Sequence, residues 1–227
     1  MKIKYSTIIS EYKKIITQDE SIIKSVAMPD NTRIIKSGEI FRIEDGEIIL
    51  VLSGVLAINM QQSTFPEHES ITVAHEEPFR VGKGVRGMVF GLVESFGSSI
   101  SLQYVAKQDS KIATLRYDDF VEIFTQKEQF KYLIKMTAFT LAMLLDSYNE
   151  RNFGNRYNVI RSMIYRYKVQ QDEGILHDDS LAGFILKRTK ISRSYLFQIL
   201  ADLKDGGYID VRNGKLESIL KELPEKY

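Results

Sequence analysis

The fold of the last third of this chain is decided by residues 181–219, LAGFILKRTKISRSYLFQILADLKDGGYIDVRNGKLESI. Apolar residues recur at helical spacing in Leu181–Arg188 and again in Arg193–Lys204. The short run Thr189–Ser192 separates the two segments and has the length of a tight turn. Two short helices joined in this way predict a helix-turn-helix.

A β-hairpin is predicted directly after the second helix. Gly206-Gly207 supplies a helix stop, and the runs Tyr208–Val211 and Lys215–Ile219 have the length and composition of strands. Between these runs lies Arg212-Asn213-Gly214, and Asn-Gly provides the positive φ angles that a type I′ turn requires. A hairpin in this position makes the unit a winged helix-turn-helix.

The second helix has one apolar and one polar face. At helical spacing, the residues that face the core are Leu196, Ile199, Leu200 and Leu203. The residues that face outward are Arg193, Ser194, Tyr195 and Gln198, with Asp202 as a further candidate. A recognition helix enters the major groove, where Arg binds guanine and Gln binds adenine through paired hydrogen bonds. We therefore expect Arg193 and Gln198 to read bases.

Positive charge is concentrated around this motif. Residues 155–227 hold 13 Lys and Arg against 10 Asp and Glu, and residues 180–201 contain four basic residues and no acidic one. Duplex DNA binds such patches through its phosphates. Phosphate contacts are therefore predicted for Arg188, Lys190, Arg212 and Lys215.

Both helices of the motif begin after residues that can cap them. Asp179 or Ser180 is predicted to cap the first helix, and the Ser192 hydroxyl is predicted to cap the second. The positive end of the second helix could also meet a DNA phosphate. Ser192, Ser194 and Tyr195 therefore join the candidate DNA-binding residues.

Residues 31–117 have a different character. Short β-rich runs alternate with glycines and turn signals, which is typical of an antiparallel barrel or sandwich. The predicted strands are Arg33–Lys36, Ile48–Leu52, Val55–Met60, Ile71–Ala74, Ser101–Ala106 and Lys111–Leu115. Before them, Tyr5–Val26 carries an apolar stripe at helical spacing, which predicts a helix packed on the barrel.

A long helix is predicted within Tyr117–Arg151, where apolar residues recur at intervals of three and four. Further apolar residues fill much of the remaining circumference, so the helix needs apolar surroundings on more than one side. One interpretation is a helix buried in a single core. We favour a helix shared between a domain core and a dimer interface that includes Phe130–Tyr148.

Composition excludes several classes of protein. A 227-residue chain with 44% hydrophobic residues and a net charge of +1 is globular rather than disordered. The absence of cysteine excludes disulfides, iron–sulfur clusters and Cys-ligated zinc. No apolar run has membrane-spanning length and no signal-peptide pattern is present, so we expect a cytoplasmic protein. No catalytic groups converge, and no enzyme activity, metal or cofactor is expected.

At several points the sequence resembles the CRP/FNR superfamily of bacterial transcription regulators. Ile191–Leu196 with Gly207–Ile209 resembles its recognition helix and wing, and Val89–Leu92 resembles the start of its phosphate-binding cassette. Two further segments, Gly38–Phe41 and Val51–Val55, resemble strands of its cyclic-nucleotide-binding-like β-roll. Three segments are similar to the enterobacterial IprA-like branch of this superfamily: Arg188–Ser194, Asn213–Leu216 and Leu223–Tyr227. The similarity to this branch implies that the protein responds to stress, including peroxide stress.

The resemblance implies an α+β fold with three parts. These are an N-terminal helix plus β-roll (effector-like) domain at 1–118, a connecting and dimerisation helix region at 119–154, and a winged helix-turn-helix DNA-binding domain at 155–227. The implied function is homodimeric regulation of transcription on double-stranded DNA, with RNA polymerase as a candidate partner. The alternative is an interaction module whose winged unit docks a protein and binds no DNA.

The resemblance does not identify an effector, because the phosphate-binding cassette of this sequence differs from the cassette of the cyclic-AMP-binding members. There a Glu follows the cassette glycine and an Arg pairs with the cyclic phosphate, whereas here Gly91 is followed by Leu92-Val93 and Ser98–Gln103 contains no Arg. An unpaired buried phosphate is costly, so we expect no cyclic AMP binding. The segment Gly82–Gly87 spells G-x-G-x-x-G, and its Lys83 and Arg86 are candidates for an anionic effector; otherwise it is a turn.

Overall fold

The computed structural model describes residues 9–14, 20–61, 79–96, 101–126, 129–152, 155–174, 176 and 179–227. The chain divides into two compact units, one formed by residues 10–139 and one that includes residues 140–227. Among the described residues, no helix combines the length and the hydropathy needed to cross a membrane. The predicted strand Ile71–Ala74 lies outside the described ranges.

The described part of the first unit is a β-roll of two four-stranded antiparallel sheets. Its strands are β1 Thr32–Ile35, β2 Ile40–Phe41, β3 Glu47–Ser53, β4 Val55–Gln61, β5 Phe79–Val85, β6 Val89–Phe90, β7 Ser101–Ala106 and β8 Ser110–Arg116. One sheet has the order β1-β8-β3-β6 and the other has the order β2-β7-β4-β5. The predicted strands that fall in described ranges are all present, within one or two residues.

Close packing fixes the middle of the roll. The five residues Ile48–Leu52 of β3 are all buried, so this strand is covered on both faces. Tyr104 of β7 is completely buried and stacks near Phe41 at a ring-centroid distance of 5.5 Å. Gly91 has φ +104, and a Cβ there would collide with the Glu47 carbonyl, so only glycine fits this position.

The G-x-G-x-x-G segment was predicted as a turn, and the structure corrects this. Gly82–Val85 forms the second half of β5, with Lys83 paired to Ala57 of β4, and only Arg86 and Gly87 lie in the turn that follows. Glycine has low strand propensity, which hid this strand from the sequence pattern. In the described part of the roll, β5 pairs antiparallel with β4, so the segment lacks the βαβ context in which G-x-G-x-x-G binds a dinucleotide.

Two helices and the first part of a third belong to the same unit as the roll. They are α1 Glu20–Val26, α2 Tyr117–Gln126 and α3 Phe130–Asn152, which continues into the second unit. Residues 9–14 are also helical. Two tyrosine hydroxyls hold the turn between β5 and β6, because Tyr12 donates to the Arg86 carbonyl and Tyr132 of α3 donates to the Gly87 carbonyl at 3.1 Å. The Tyr12 ring stacks on Phe139 of α3 at 4.5 Å.

Helix α3 has two apolar faces. One face is buried and contains Tyr132, Met136 and Phe139. The other is an exposed stripe along one side of the helix, which we call the α3 stripe: Phe130, Ile134, Leu141, Leu144, Leu145 and Tyr148. Each stripe residue is at least 45% exposed in the single chain. The second apolar face predicted from the sequence is therefore present, and its large side chains are exposed in the single chain.

The second unit carries the winged helix-turn-helix. Its elements are α4 Arg156–Asp172, α5 Leu181–Leu186, α6 Arg193–Asp205, β9 Ile209–Arg212 and β10 Lys215–Ile219, and the two strands pair antiparallel. Their common core contains Ile160, Ile164, Phe184, Leu196 and Leu216. The hairpin turn has φ +50 at Asn213 and φ +75 at Gly214, as a type I′ turn requires. The first motif helix ends at Leu186, two residues before the predicted boundary.

Candidate nucleic-acid interface

Helix α5 is fixed at its start by hydrogen bonds. Ser180 is its N-cap, and the Ser180 Oγ accepts a hydrogen bond from the Gly183 N–H at 3.1 Å, which confirms the predicted cap. Asp179 is buried and forms an ion pair with Lys187 at 3.1 Å, while its carbonyl accepts from the Tyr167 hydroxyl at 3.0 Å. These contacts tie α5 to α4.

Helix α6 has the two faces expected from its sequence. Leu196, Ile199 and Leu203 are buried in the core, and Leu200 is half-buried. The opposite face exposes Arg193, Ser194 and Gln198, with Tyr195 half-buried beside them. The inward leucines hold the helix while the polar row stays accessible, so the row is positioned by the same packing that folds the domain.

Ser192 corrects the second capping prediction. It occupies the N-cap position of α6 with extended backbone, φ −67 and ψ 146, but its side chain makes no capping hydrogen bond. Ser192 is exposed, so its hydroxyl is accessible to solvent at the start of α6.

Arg188 is placed differently from the other basic candidates. It is 4% exposed, and its Nη1 donates to the Phe184 carbonyl at 3.1 Å. Lys190, by contrast, is exposed in the turn between α5 and α6. A buried guanidinium cannot meet a phosphate without leaving the core, so the structure argues against the phosphate contact predicted for Arg188.

The wing places two further basic residues at the surface. Arg212 is exposed and pairs with Asp210 at 3.2 Å, and Lys215 is exposed at the start of β10. The Gly214 carbonyl accepts from the Leu181 N–H at 2.7 Å, which fixes the tip of the hairpin against the start of α5. Surface pairs of the Arg212–Asp210 kind are weak, so Arg212 can exchange its partner at little cost.

Two side chains on or beside α6 were not predicted from the sequence. Phe197 is 55% exposed, although aromatic residues of helices usually face the core. Phe197 lies one residue before Gln198 and outside the inward-facing row, and this position is the sequence signal that predicts its exposure. A phenylalanine side chain is suited to contact a thymine methyl group. Tyr227 donates a hydrogen bond to the Asp202 carboxylate from a distant part of the sequence, for which no local signal exists.

In the described part of the cassette region, Glu94 and Tyr104 are hydrogen-bonded to each other. Glu94 lies in a 3₁₀ turn, Glu94–Phe96, and its Oε1 accepts from the Tyr104 hydroxyl at 2.6 Å. Burial, with the Glu94 hydrogen bond second, raises the pKa of Tyr104 far above its ordinary value, so the phenol stays protonated. Lys83 is half-buried on β5 and Arg86 is exposed. Ser98–Ile100 lies outside the described ranges. The described residues contain no group of acidic and His side chains arranged to hold a metal ion.

Comparison with known proteins supports this architecture. Residues 156–225 match the family of winged helix-turn-helix DNA-binding domains. The inhibitor of hydrogen peroxide resistance from Salmonella typhimurium, an IprA protein, is 36% identical over 73 residues, which are 32% of this chain and 34% of that relative. The aligned part therefore spans about one third of the curated relative.

Solved structures align over nearly the whole chain. CooA from Carboxydothermus hydrogenoformans, crystallised as a mutant, aligns with a TM-score of 0.62 and 15% identity over 92% of this chain and 90% of its own. A CRP/FNR-family regulator from Eubacterium rectale aligns with a TM-score of 0.60 and 14% identity over 91% and 94%. At these identities the likeness establishes the fold, and the predicted resemblance is confirmed. This chain has the fold of the CRP/FNR regulators, with a cyclic-nucleotide-binding-like β-roll and a winged helix-turn-helix at residues 156–225 that matches a family of DNA-binding domains.

Proposed function

We propose that this protein is a homodimeric transcription regulator that binds duplex DNA through α6 and the wing, without cyclic AMP. The observation that carries the proposal is the exposed polar row Arg193, Ser194 and Gln198 on a helix whose other face is locked into the core. Such a helix can enter the major groove without unfolding or rearranging. The proposed activity is binding and regulation, with no chemical step.

Within the interface the residues have two roles. Arg193 and Gln198 read base edges, while Ser192 and Lys190 contact phosphates at the start of α6, and Ser194 and Tyr195 contribute hydrogen bonds beside them. Arg212 and Lys215 contact phosphates from the wing. Arg188, which is buried, instead supports the motif from inside.

The dimer is proposed from the α3 stripe. An exposed row of large apolar side chains this long is unusual on a monomer, and a two-fold copy of the same row would cover it. The proposed organisation keeps residues 119–154 as the dimerisation region between the roll at 1–118 and the DNA-binding domain at 155–227. A two-fold dimer presents its recognition helices to half-sites about 34 Å apart.

Independence from cyclic AMP is supported by the cassette. Leu92 and Val93 follow the cassette glycine, and the Glu94 carboxylate is engaged by Tyr104 rather than free to hold a ribose. The IprA relative is named for hydrogen peroxide resistance, and on that basis we propose that this protein also responds to stress. Lys83 and Arg86 remain the proposed contacts for an anionic effector, with Arg86 the more accessible.

The test is binding to DNA selected from a randomised duplex pool, followed by affinity measurements at rising salt. DNA binding releases counterions, so affinity should fall steeply as salt rises. A pool that yields no enriched sequence, together with no salt-dependent binding, would contradict the proposal and favour the protein-docking alternative.

A further inference from the structure

Phe197 places a large apolar ring on the side of α6 that the proposed function turns toward DNA. Its side chain is 55% exposed, whereas the nearby apolar residues Leu196 and Ile199 are completely buried. A ring that stays in water gives up the free energy that its burial in the core would supply. The folding of the domain therefore does not account for a phenylalanine at this position.

The middle of the exposed face of α6 carries small side chains. Successive residues of an α-helix are turned by about 100°, so Ser194 and Ala201, which are two turns apart, lie on nearly the same line along the helix. Both residues are exposed. Their line lies opposite the buried row of Leu196, Ile199 and Leu203. Because the side chains on this line are small, the helix can come close to the floor of a groove.

Phe197 and Gln198 flank this line on its two sides. They are consecutive residues, so their side chains diverge by about 100°, and the line of Ser194 and Ala201 falls between them. Both flanking side chains are exposed. When the line faces the floor of the major groove, Gln198 reaches base edges on one side of it and Phe197 reaches base edges on the other.

The chemistry of the groove identifies the group that such a ring can contact. Among the natural bases, thymine alone presents an apolar group in the major groove, its C5-methyl group. A polar base edge pressed against a phenyl ring would lose its water without gaining a hydrogen bond, whereas burial of the methyl group is favourable. Any adenine that Gln198 reads is paired with a thymine whose methyl group lies in the same groove.

We propose that Phe197 is a specificity-determining residue that contacts the C5-methyl group of a thymine at, or next to, the base pair that Gln198 reads. The inference rests on the proposed DNA-binding function. It adds an apolar contact to the hydrogen bonds of Arg193 and Gln198. The half-site then contains a thymine that is selected through its methyl group.

The test removes the methyl group from the DNA and the ring from the protein. Each thymidine in one half-site of the selected duplex is replaced in turn by deoxyuridine, which pairs in the same way and lacks only the methyl group. The unmodified full-length protein should lose affinity by about threefold to fivefold at one of these positions, the factor expected when one buried methyl group is lost. Phe197→Ala should bind the selected duplex more weakly by at least this factor. It should not distinguish thymidine from deoxyuridine at that position.

Gln198→Ala is the matched control on the same face of α6. It should lose the preference for adenine and keep the penalty for deoxyuridine, because that penalty belongs to Phe197. Urea unfolding should show little change for Phe197→Ala, since the ring is exposed.

Two results would overturn the thymine contact while leaving the DNA-binding function intact. One is an unmodified protein that is insensitive to deoxyuridine at every position, and the other is an equal penalty for deoxyuridine in the unmodified protein and in Phe197→Ala. Absence of salt-dependent DNA binding by the unmodified protein would overturn both the contact and the proposed function.

Discussion

The guanidinium carbon of Arg188 lies 3.8 Å from the centroid of the Phe184 ring, one helical turn earlier in the chain. Phe184 is completely buried and belongs to the core shared by α4, α5 and α6. The charge of Arg188 is therefore engaged in a cation–π contact and a hydrogen bond inside the motif. Lys190, two residues later, carries the same charge at the surface.

We predict that Arg188→Ala destabilises the protein rather than removing a DNA contact. The loss of a buried, charge-assisted hydrogen bond and of the stacked guanidinium should lower the free energy of unfolding by about 2 to 4 kcal/mol. Urea unfolding measures the change. Lys190→Ala is the matched control and should change stability by less than about 0.5 kcal/mol while weakening DNA binding. Equal stability of both variants would contradict the buried role of Arg188.

In the wing, Lys215→Ala is expected to weaken binding to every DNA sequence alike. A phosphate contact carries no sequence information, so selected and scrambled duplexes should lose affinity by the same factor. The slope of log affinity against log salt should fall by about one unit for each phosphate that is no longer neutralised. A decrease confined to the selected duplex would show instead that Lys215 reads a base.

For the dimer, Leu141→Asp in the α3 stripe is expected to yield monomers or insoluble protein. The substitution places a charge at the centre of the proposed apolar interface, where desolvation opposes association. Analytical ultracentrifugation at micromolar concentration gives the mass. Lys131→Asp, also exposed on α3 but outside the stripe, should remain dimeric. Unmodified protein that sediments as a monomer would refute the interface.

Cyclic AMP should neither bind with useful affinity nor be needed for DNA binding. The cassette offers no Arg at Ser98–Gln103 to neutralise the cyclic phosphate, and Glu94 is held by Tyr104. Isothermal titration calorimetry is the direct measurement. A dissociation constant in the low micromolar range, about 8 kcal/mol of binding free energy, would mean that other cations such as Lys83 or Arg86 hold the phosphate.

Sequence reasoning succeeded where the signal was local. The helix-turn-helix and its hairpin follow from apolar spacing, a glycine stop and an Asn-Gly turn, and all three operate within a few residues. It failed on β5, whose glycines obscure the strand pattern, and on Arg188, because a basic patch does not reveal which of its members turns inward. The contact of Tyr227 with Asp202 joins residues from separate elements and depends on the path of residues 223–227 over α4, which is set by hydrogen bonds of Leu223 and Pro224 to that helix.

The central claim is that the exposed row of α6 reads DNA sequence, and the ratio of affinities for selected and scrambled duplexes tests it most directly. We predict that Arg193→Ala lowers this ratio by an amount equivalent to about 1 to 3 kcal/mol of binding free energy. It should also relax the preference at one position of each half-site, because alanine cannot form the paired hydrogen bonds to a base. Binding to the scrambled duplex should decline far less. A ratio unchanged by Arg193→Ala would contradict the account, since the row would then contact DNA without reading it.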